Sequence, residues 1–374
     1  MILRDDKYFG IDRDSMFLKF KNSIIRNEES ECDFKPDNNG QLDFLVYVSL
    51  LSKINNYGEF DIPFVRLIES MGFKPKSGSG SINDKVKQSI GRLENEYTLI
   101  NCISKDRYLV GEVVIPVVED NFFKLKMDNV RKILNNSLIK LNKDDYSNKY
   151  ENKSKALYVY AYLVSMMGDH LTTEVTVNWR GCFPSLEKIS SDCNVSKDYL
   201  LKLLAYFEYD GLLYTTNIGF IKDKNGNSFK AVNYYTDNIE YLSSSYIYSR
   251  AYYDKNEYSY SKYISQTKNL LSETTELFNE SYKKLNEKEL KCFKEHFGVL
   301  FMNTIYESEK YYIDINKENF DKYIFNKMYI RSKFKNVDCK EALLFIADNE
   351  MASIPLLTHI KNKIKALMYL YEIK

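Results

Sequence analysis

Apolar positions recur at helical spacing along most of this chain, and short strand-like runs interrupt them. One stripe, with members three or four residues apart, predicts a helix with a single buried face. Its members are Leu200, Leu203, Leu204 and Phe207. Ser196 precedes the stripe as a capping residue, and Gly211 follows it, where glycine accepts the left-handed backbone that ends a helix. The pattern therefore predicts a helix between these two residues.

A shorter helix and a hairpin flank this helix. The shorter helix carries Ile189 on its inner face, and Cys193–Val195 form the tight turn between the two helices. Strand-like runs at 212–221 and 228–235 enclose an Asn-Gly pair that ends at Gly226. Such a pair between two strand-like runs is the strongest short-range signal for a hairpin. Two helices, a turn and a hairpin follow one another in the order of a winged helix-turn-helix.

At 184–213 the sequence PSLEKISSDCNVSKDYLLKLLAYFEYDGLL resembles the winged-helix domains of bacterial plasmid and phage replication initiators, and of many transcription regulators. The resemblance to the initiators implies tandem winged helices that bind repeated origin sequences, with the remaining chain recruiting replication proteins. Because one scaffold serves many functions, the resemblance specifies the fold more closely than the function.

A weaker pattern of the same kind precedes it between residues 41 and 120. Asp61 is expected to cap a helix with Pro63 in its first turn, and the flexible segment GFKPKSGSGS follows. Ser81 then caps a second helix, with strand-like runs at 99–104 and 108–118 as its wing. The inner stripe of this second helix is Ile82, Val86, Ile90 and Leu93.

The outer face of that second helix is a candidate DNA-recognition face, and a solvated surface stripe is the alternative. Lys85, Gln88 and Arg92 fall together there, with a glycine beside them that permits close approach. Residues 72–111 hold seven basic against four acidic residues, although the net charge of the chain is only +1. A DNA-binding function requires such a local excess. The basic residues that complete the candidate set are Lys74, Lys76, Lys105 and Arg107.

Two interpretations of the downstream helix and hairpin stay open, namely DNA contact and dimerisation. Residues 184–240 hold six lysines against eight acidic residues, and the outward Leu201 and Tyr206 suit a protein interface equally well. The candidate DNA-contacting residues here are Lys197, Tyr199 and Lys202 on the helix, and Lys222, Lys224 and Lys230 on the wing.

These patterns predict an α+β, mostly helical chain with two winged helix-turn-helix domains followed by a C-terminal helical domain. Further helices are expected near 264–285, 287–301, 317–330, 340–349 and 356–371. The predicted segments are an N-terminal arm (1–40), a first winged-helix domain (41–120), a linker (121–153), a second winged-helix domain (154–240), a connector (241–263) and the C-terminal helical domain (264–374).

Several classes of protein lack their usual sequence signals. No apolar run reaches the 18 residues of a membrane span, and the charged N-terminus does not suit a signal peptide. The six cysteines include no CxxC pair, which favours a reducing cytoplasm over a zinc site or a disulfide framework. Only three histidines occur, none paired, and no phosphate-binding loop is present. We therefore expect no catalytic residues, no cofactor and no metal.

The sequence-based hypothesis is a cytoplasmic, sequence-specific DNA-binding protein, most consistent with a replication initiator of a plasmid or phage. Its expected partners are double-stranded DNA, host replication proteins and a second copy of the chain. A winged-helix transcription regulator is the first alternative. The second is an assembly protein that uses winged helices as protein interfaces without binding DNA.

Overall fold

The computed structural model describes residues 11–12, 17–26, 34–55, 57–114, 122–134, 138–140, 146–148, 152–172, 177–260, 263–287 and 353–370. Helices carry most of the regular structure in these ranges, and small sheets carry the rest. The chain is therefore α+β and mostly helical, as the sequence predicts. Within these ranges, none of the helices combines the length and the apolar character that crossing a membrane requires.

The helices are α1 (Asn38–Leu51), α2 (Phe64–Ser70), α3 (Ile82–Asn95), α4 (Met127–Leu134), α5 (Lys153–Ser165), α6 (Leu186–Asp192), α7 (Lys197–Tyr209), α8 (Leu242–Lys255), α9 (Tyr263–Lys284) and α10 (Ser353–Leu370). The strands are β1 (Ile11–Asp12), β2 (Phe17–Lys21), β3 (Glu59–Pro63), β4 (Ile100–Lys105), β5 (Tyr108–Val113), β6 (Phe122–Lys126), β7 (Leu138–Lys140), β8 (Tyr146–Asn148), β9 (Gly168–Thr172), β10 (Val177–Gly181), β11 (Tyr214–Thr216), β12 (Phe220–Lys222), β13 (Ser228–Lys230), β14 (Tyr234–Thr236) and β15 (Ser259–Tyr260).

Contacts between residues divide the chain into two compact units that interleave along the sequence. Unit 1 comprises Met1–Leu138, Asn148–Met166 and Leu186–Leu200, and unit 2 comprises Ile139–Ser147, Met167–Ser185 and Leu201–Lys374. The division passes through α7, between Leu200 and Leu201. These units do not coincide with the six segments predicted from the sequence, whose boundaries stay predictions.

Helix α1 is the central helix of unit 1, because apolar side chains cover nearly its whole circumference. It packs against α3 and α5. Asp37 caps its N-terminus, since its Oδ1 accepts hydrogen bonds from the backbone N–H groups of Asn39 at 2.9 Å and Gly40 at 2.8 Å. A Cβ at Gly40 would lie 2.2 Å from the carbonyl oxygen of Lys35, so the close approach of this loop requires glycine.

Part of the predicted N-terminal arm contributes to the core of unit 1. Strand β2 pairs antiparallel with β6, and its Leu18 and Phe20 side chains are buried. The Phe20 ring stacks on Phe123 with 5.4 Å between centroids. Phe34 is also buried, and its carbonyl accepts a 2.8 Å hydrogen bond from the hydroxyl of Tyr158 on α5.

A three-stranded antiparallel sheet in the order β3-β5-β4 holds α2 and the β4–β5 hairpin together in unit 1. The hairpin predicted at 99–104 and 108–118 is thereby confirmed over β4 and β5, and positions 115–118 lie outside the described residues. The expectation for Asp61 is wrong, because Asp61 lies within β3 and Pro63 itself precedes the first helical residue, Phe64. The backbone N–H of Phe64 donates to the carbonyl of Arg107 at 2.9 Å, which ties the start of α2 to the hairpin tip.

The two helices predicted between residues 184 and 213 are also confirmed as α6 and α7. Asn194 in the turn between them has a positive φ of 49°, and Gly211 after α7 has a φ of 66°. The hydroxyl of Ser196 accepts from the backbone N–H of Tyr199 at 3.3 Å, as expected for a helix cap. Downstream, β12 pairs with β13 around the turn that contains Gly226, which confirms the second hairpin.

The core of unit 2 includes a buried polar cluster between α7 and α10. Glu208 is 1% exposed, and its Oε1 lies 2.8 Å from Nδ1 of the buried His359. Asn362 donates to the other carboxylate oxygen at 2.7 Å. Because a buried carboxylate is costly without hydrogen bonds, these contacts fix the position of α10 on α7.

Helix α10 also overturns one expectation about the outer face of α7. Tyr206, expected to be exposed, is only 2% exposed, and its ring packs edge-on to Tyr369 at 6.3 Å. Leu201 is 38% exposed, as expected. Helix α10 matches the helix predicted near 356–371, whereas those predicted near 287–301, 317–330 and 340–349 lie almost wholly outside the described residues.

Candidate nucleic-acid interface

The outer face of α3 carries amide and lysine side chains. Val86, Ile90 and Leu93 point into unit 1 and are buried, so the helical period turns the opposite face outward. Gln88 and Asn95 lie near the middle of that outer face, and both are exposed. The side chains that flank them, Lys85 and Lys87, are exposed as well.

The segment between α2 and α3 places two further lysines before this helix. Lys74 and Lys76 are exposed, and the backbone N–H of Lys76 donates to Oδ1 of Asn83 at 2.9 Å. Gly78 and Gly80 adopt positive φ angles of 118° and 70°, and a Cβ at either would meet nothing. Their glycine identity is therefore explained by the backbone conformation of the loop, not by packing.

The one carboxylate near the middle of the outer face of α3 has its oxygen engaged within the protein. Oδ2 of Asp84 accepts from the backbone N–H of Gly80 at 2.9 Å and from the Gln88 side chain at 3.2 Å. Asp84 thereby stabilises the N-terminus of α3, where a negative charge is favourable. This arrangement holds the Gln88 amide beside the first turn of α3.

Arg92, a member of the predicted recognition face, has a partner inside the protein. Its Nε and Nη2 atoms each donate to a different carboxylate oxygen of Asp43 at 2.7 Å. The Asp43 side chain is fully buried on α1, and Tyr97 adds a third hydrogen bond to it at 3.2 Å. The hydrogen bond to Asp43 also raises the pKa of Arg92. These contacts give Arg92 a structural role, and its predicted DNA contact stays a prediction.

The hairpin tip presents two cations, of which one is paired and the other has no ion-pair partner in the part of the chain that the structure describes. Lys105 forms an ion pair with Glu94 of α3, and this partner lowers the pKa of the Glu94 carboxyl group. The other Glu94 oxygen accepts from the backbone N–H of Cys102 at 3.1 Å, so Glu94 joins α3 to β4. Arg107 is exposed at the tip.

Among the described residues, five cations around α3 and the hairpin have no ion-pair partner. They are Lys74, Lys76, Lys85, Lys87 and Arg107. The ammonium group of Lys87 lies 5.6 Å from the centroid of the Phe64 ring, within the range of a cation–π contact. We call these five cations, together with Gln88 and Asn95, the α3 face.

Several candidate residues on α7 and on the second hairpin have partners that the sequence did not indicate. Lys197 forms a 2.7 Å ion pair with Glu187, and Lys224 forms one with Glu257. The Tyr199 hydroxyl donates to the carbonyl of Asn152 at 3.2 Å. The ammonium group of Lys202 lies 5.8 Å from the Tyr206 ring centroid. Lys222 and Lys230 are exposed on β12 and β13.

Sequence reasoning missed Lys87 and Asn95 as members of the α3 face. Both lie seven residues or fewer from Gln88 and fall on the outward side of the same helical period. The period alone was a sufficient signal for both. The period does not indicate the ion pair of Arg92, because its partner Asp43 is 49 positions away in the sequence.

The described residues define the class of the chain as an α+β protein, mostly helical, with small antiparallel sheets. No protein-family model, curated protein or solved structure matches this chain. Among the described residues, no group of three or more His, Cys, Asp or Glu side chains is placed to hold a metal ion.

Proposed function

We propose that unit 1 contains a winged helix-turn-helix that binds double-stranded DNA through the α3 face. In this proposal α3 enters the major groove and the β4–β5 hairpin lies along an adjacent phosphate backbone. The observation that carries it is the composition of the α3 face, with two exposed amides between exposed lysines. Amide side chains can discriminate bases in the major groove, whereas lysines and arginines neutralise phosphates.

The local charge supports a polyanionic partner. Two of the cations counted in residues 72–111 form internal ion pairs, Arg92 with Asp43 and Lys105 with Glu94. The five cations of the α3 face have no such pairs among the described residues. A chain with a net charge of +1 thus keeps unneutralised cations together on one face.

We further propose that DNA binding serves replication initiation on a plasmid or phage, with host replication proteins as partners. Support for this step comes from the resemblance of residues 184–213 to initiator winged helices. The experiment is to ask whether the chain maintains a plasmid that carries its selected binding sites as direct repeats. A transcription regulator would instead change the output of a promoter carrying those sites, without maintaining the plasmid.

Gln88→Ala is expected to change which sequences are recovered from a randomised duplex library. A side-chain amide that reads a base contributes about 1–3 kcal/mol of discrimination, which is roughly a 5- to 150-fold preference. Lys85→Ala should instead weaken binding to all recovered duplexes by a similar factor, because a phosphate contact carries no sequence information. Electrophoretic mobility shifts on the recovered sequences measure both effects.

Lys53→Ala is the matched control for these two variants. Lys53 is exposed and lies after α1, near the start of β3. The hairpin tip lies at the other end of this strand, because the last residue of β3 pairs with Tyr108. This variant should bind like the wild type. If Gln88→Ala recovers the same sequences with the same preference, α3 does not read bases.

A further inference from the structure

One face of the second hairpin is exposed and carries no acidic residue. Strand β12 is the middle strand of a sheet in the order β13-β12-β15. In the antiparallel register Phe220 pairs with Lys230, and Lys222 pairs with Ser228 on one side and Ser259 on the other. Directly paired residues share a face, and positions two apart on a strand do so too. These five residues therefore lie on one face, which we call the β12 face.

The opposite face of this sheet is packed into unit 2, and this packing forces Phe220 outward. Ile221 is fully buried in a cluster of apolar and aromatic side chains. Phe229, opposite Ile221, packs edge-on to Tyr258 with 5.7 Å between ring centroids. Phe220 is 67% exposed, and no described residue provides a ring partner for it. A large apolar side chain thus stands in solvent on the middle strand of a sheet.

Two exposed cations share the β12 face with this aromatic ring. Lys222 and Lys230 are exposed on the β12 face itself. The nearby acids of the hairpin are engaged elsewhere, since Glu257 pairs with Lys224 and Asp223 accepts backbone hydrogen bonds from Asn225 and Asn227. Burial lowers the pKa of Lys365 on α10, and the neighbouring cations Lys361 and Lys230 lower it further. Lys230 of the β12 face therefore lies close enough to α10 to act on Lys365, where Glu273 and Glu208 act in the opposite direction.

We propose that the β12 face binds single-stranded nucleic acid, with Phe220 stacking on an unpaired base and Lys222 and Lys230 contacting phosphates. An exposed aromatic ring on a sheet is a stacking platform for any base, and adjacent cations follow the backbone. Ser228 and Ser259 supply hydroxyl groups that donate to phosphate oxygens. In a duplex the bases stack on one another, so the ring has no free base to stack on. This site lies in unit 2 and does not depend on duplex binding by the α3 face.

The test uses the full chain and a labelled oligothymidine of about 16 nucleotides, which forms no duplex and matches the upper range of such sites. Fluorescence anisotropy should show that Phe220→Ala raises the dissociation constant about 5- to 150-fold, in line with the loss of one stacked base. The double variant K222Q/K230Q should bind more weakly and show a shallower salt dependence. Phe220→Trp should keep the affinity, because indole also stacks.

Phe220→Trp also gives a direct optical signal. The chain has a single tryptophan, Trp179, so the emission of the wild type gives the background that is subtracted from the emission of the variant. Emission from the new tryptophan should be quenched by oligothymidine and not by a duplex of the same length. Lys224→Gln is the matched control, because Lys224 lies on the same hairpin but is paired with Glu257, and it should bind oligothymidine like the wild type.

Three results would overturn the inference. One is that the wild type and Phe220→Ala bind oligothymidine equally, or that neither binds. Another is that a duplex quenches the new tryptophan as strongly as the single strand does. The last is that Phe220→Ala converts a dimer to a monomer in sedimentation without changing oligothymidine binding, which would make the β12 face a contact between copies. Loss of duplex binding in Lys85→Ala leaves all these readouts unaffected, so the two proposals fail separately.

Discussion

Arg92→Met is expected to lower the free energy of unfolding by about 3–5 kcal/mol, because it leaves the Asp43 carboxylate buried without its cation. Asp43 is fully buried, and the two 2.7 Å hydrogen bonds from Arg92 are its strongest contacts. Among the described residues, Tyr97 alone would remain as a side-chain donor to Asp43, at 3.2 Å. Urea unfolding of the full chain, followed by circular dichroism, measures the change.

Arg66→Met is the control for loss of an arginine from an ion pair. Arg66 pairs with Glu69 at 2.9 Å, but the two side chains are 74% and 43% exposed. An exposed pair contributes about 1 kcal/mol or less, so this variant should unfold close to the wild type. If Arg66→Met and Arg92→Met lower the free energy of unfolding equally, the buried pair with Asp43 contributes no more stability than an exposed pair.

The double variant D43L/R92M separates stability from DNA contact. It replaces both charges with apolar side chains, a change that is often neutral or stabilising when the volume is filled. It should therefore recover most of the stability lost in Arg92→Met. If Arg92 is structural, as we assign it, the folded double variant binds duplex DNA like the wild type. Weaker binding at restored stability would instead support the predicted DNA contact of Arg92.

The second large effect concerns Lys153, the first residue of α5, which is only 2% exposed. Its ammonium group donates to the carbonyl of Gly72, just after α2, at 2.7 Å and to the carbonyl of Leu134, at the end of α4, at 2.8 Å. A Cβ at Gly72 would lie 1.8 Å from this nitrogen, so the backbone closes tightly over it. Burial lowers the pKa of Lys153 to about 8, from the ordinary value of 10.5.

The lowered pKa of Lys153 makes stability depend on pH in a defined direction. Between about pH 8 and pH 10.5 the unfolded chain keeps the proton that the folded chain has lost, so the free energy of unfolding rises with pH. Relative to Lys153→Met, the wild type should gain up to about 3 kcal/mol across this window. A neutral amine still has two N–H groups, so both carbonyls keep their hydrogen bonds after the proton is lost.

Urea unfolding of the wild type and Lys153→Met at several pH values from 7.5 to 10.5 measures the difference directly. The exposed Lys53 again supplies the control, because Lys53→Met should follow the wild-type pH profile. A constant difference between the wild type and Lys153→Met over the whole window would show that the buried amine does not titrate there.

The local elements could be predicted from the sequence because their signals are local. Ser81 and Ser196 cap α3 and α7, and Gly211 follows α7 with the positive φ that glycine tolerates. The alternation in FLKFK at Phe17–Lys21 also indicates a strand, β2. This signal is only five residues long and the surrounding segment is polar, so the sequence alone favours an arm there.

The side-chain environments could not be predicted, because distant parts of the chain create them. Arg92 lies beside the outward side of α3 by helical period, yet a carboxylate on α1 turns it inward. Tyr206 lies on the outer side of α7, yet Tyr369 covers it from α10. Periodicity reports which positions share a face of one helix, and only packing decides whether a second element covers that face.

The salt dependence of duplex binding tests the DNA-binding proposal most directly. Neutralising phosphates releases counterions, so the logarithm of the binding constant falls linearly with the logarithm of salt concentration. We predict a steep wild-type slope for the full chain, and a slope shallower by about 2–3 for the triple variant K76Q/K85Q/R107Q, since each lost phosphate contact removes about 0.9. Lys53→Gln should keep the wild-type slope. Equal slopes for the triple variant and the wild type, or no duplex binding at all, would contradict the assignment of DNA contact to the α3 face.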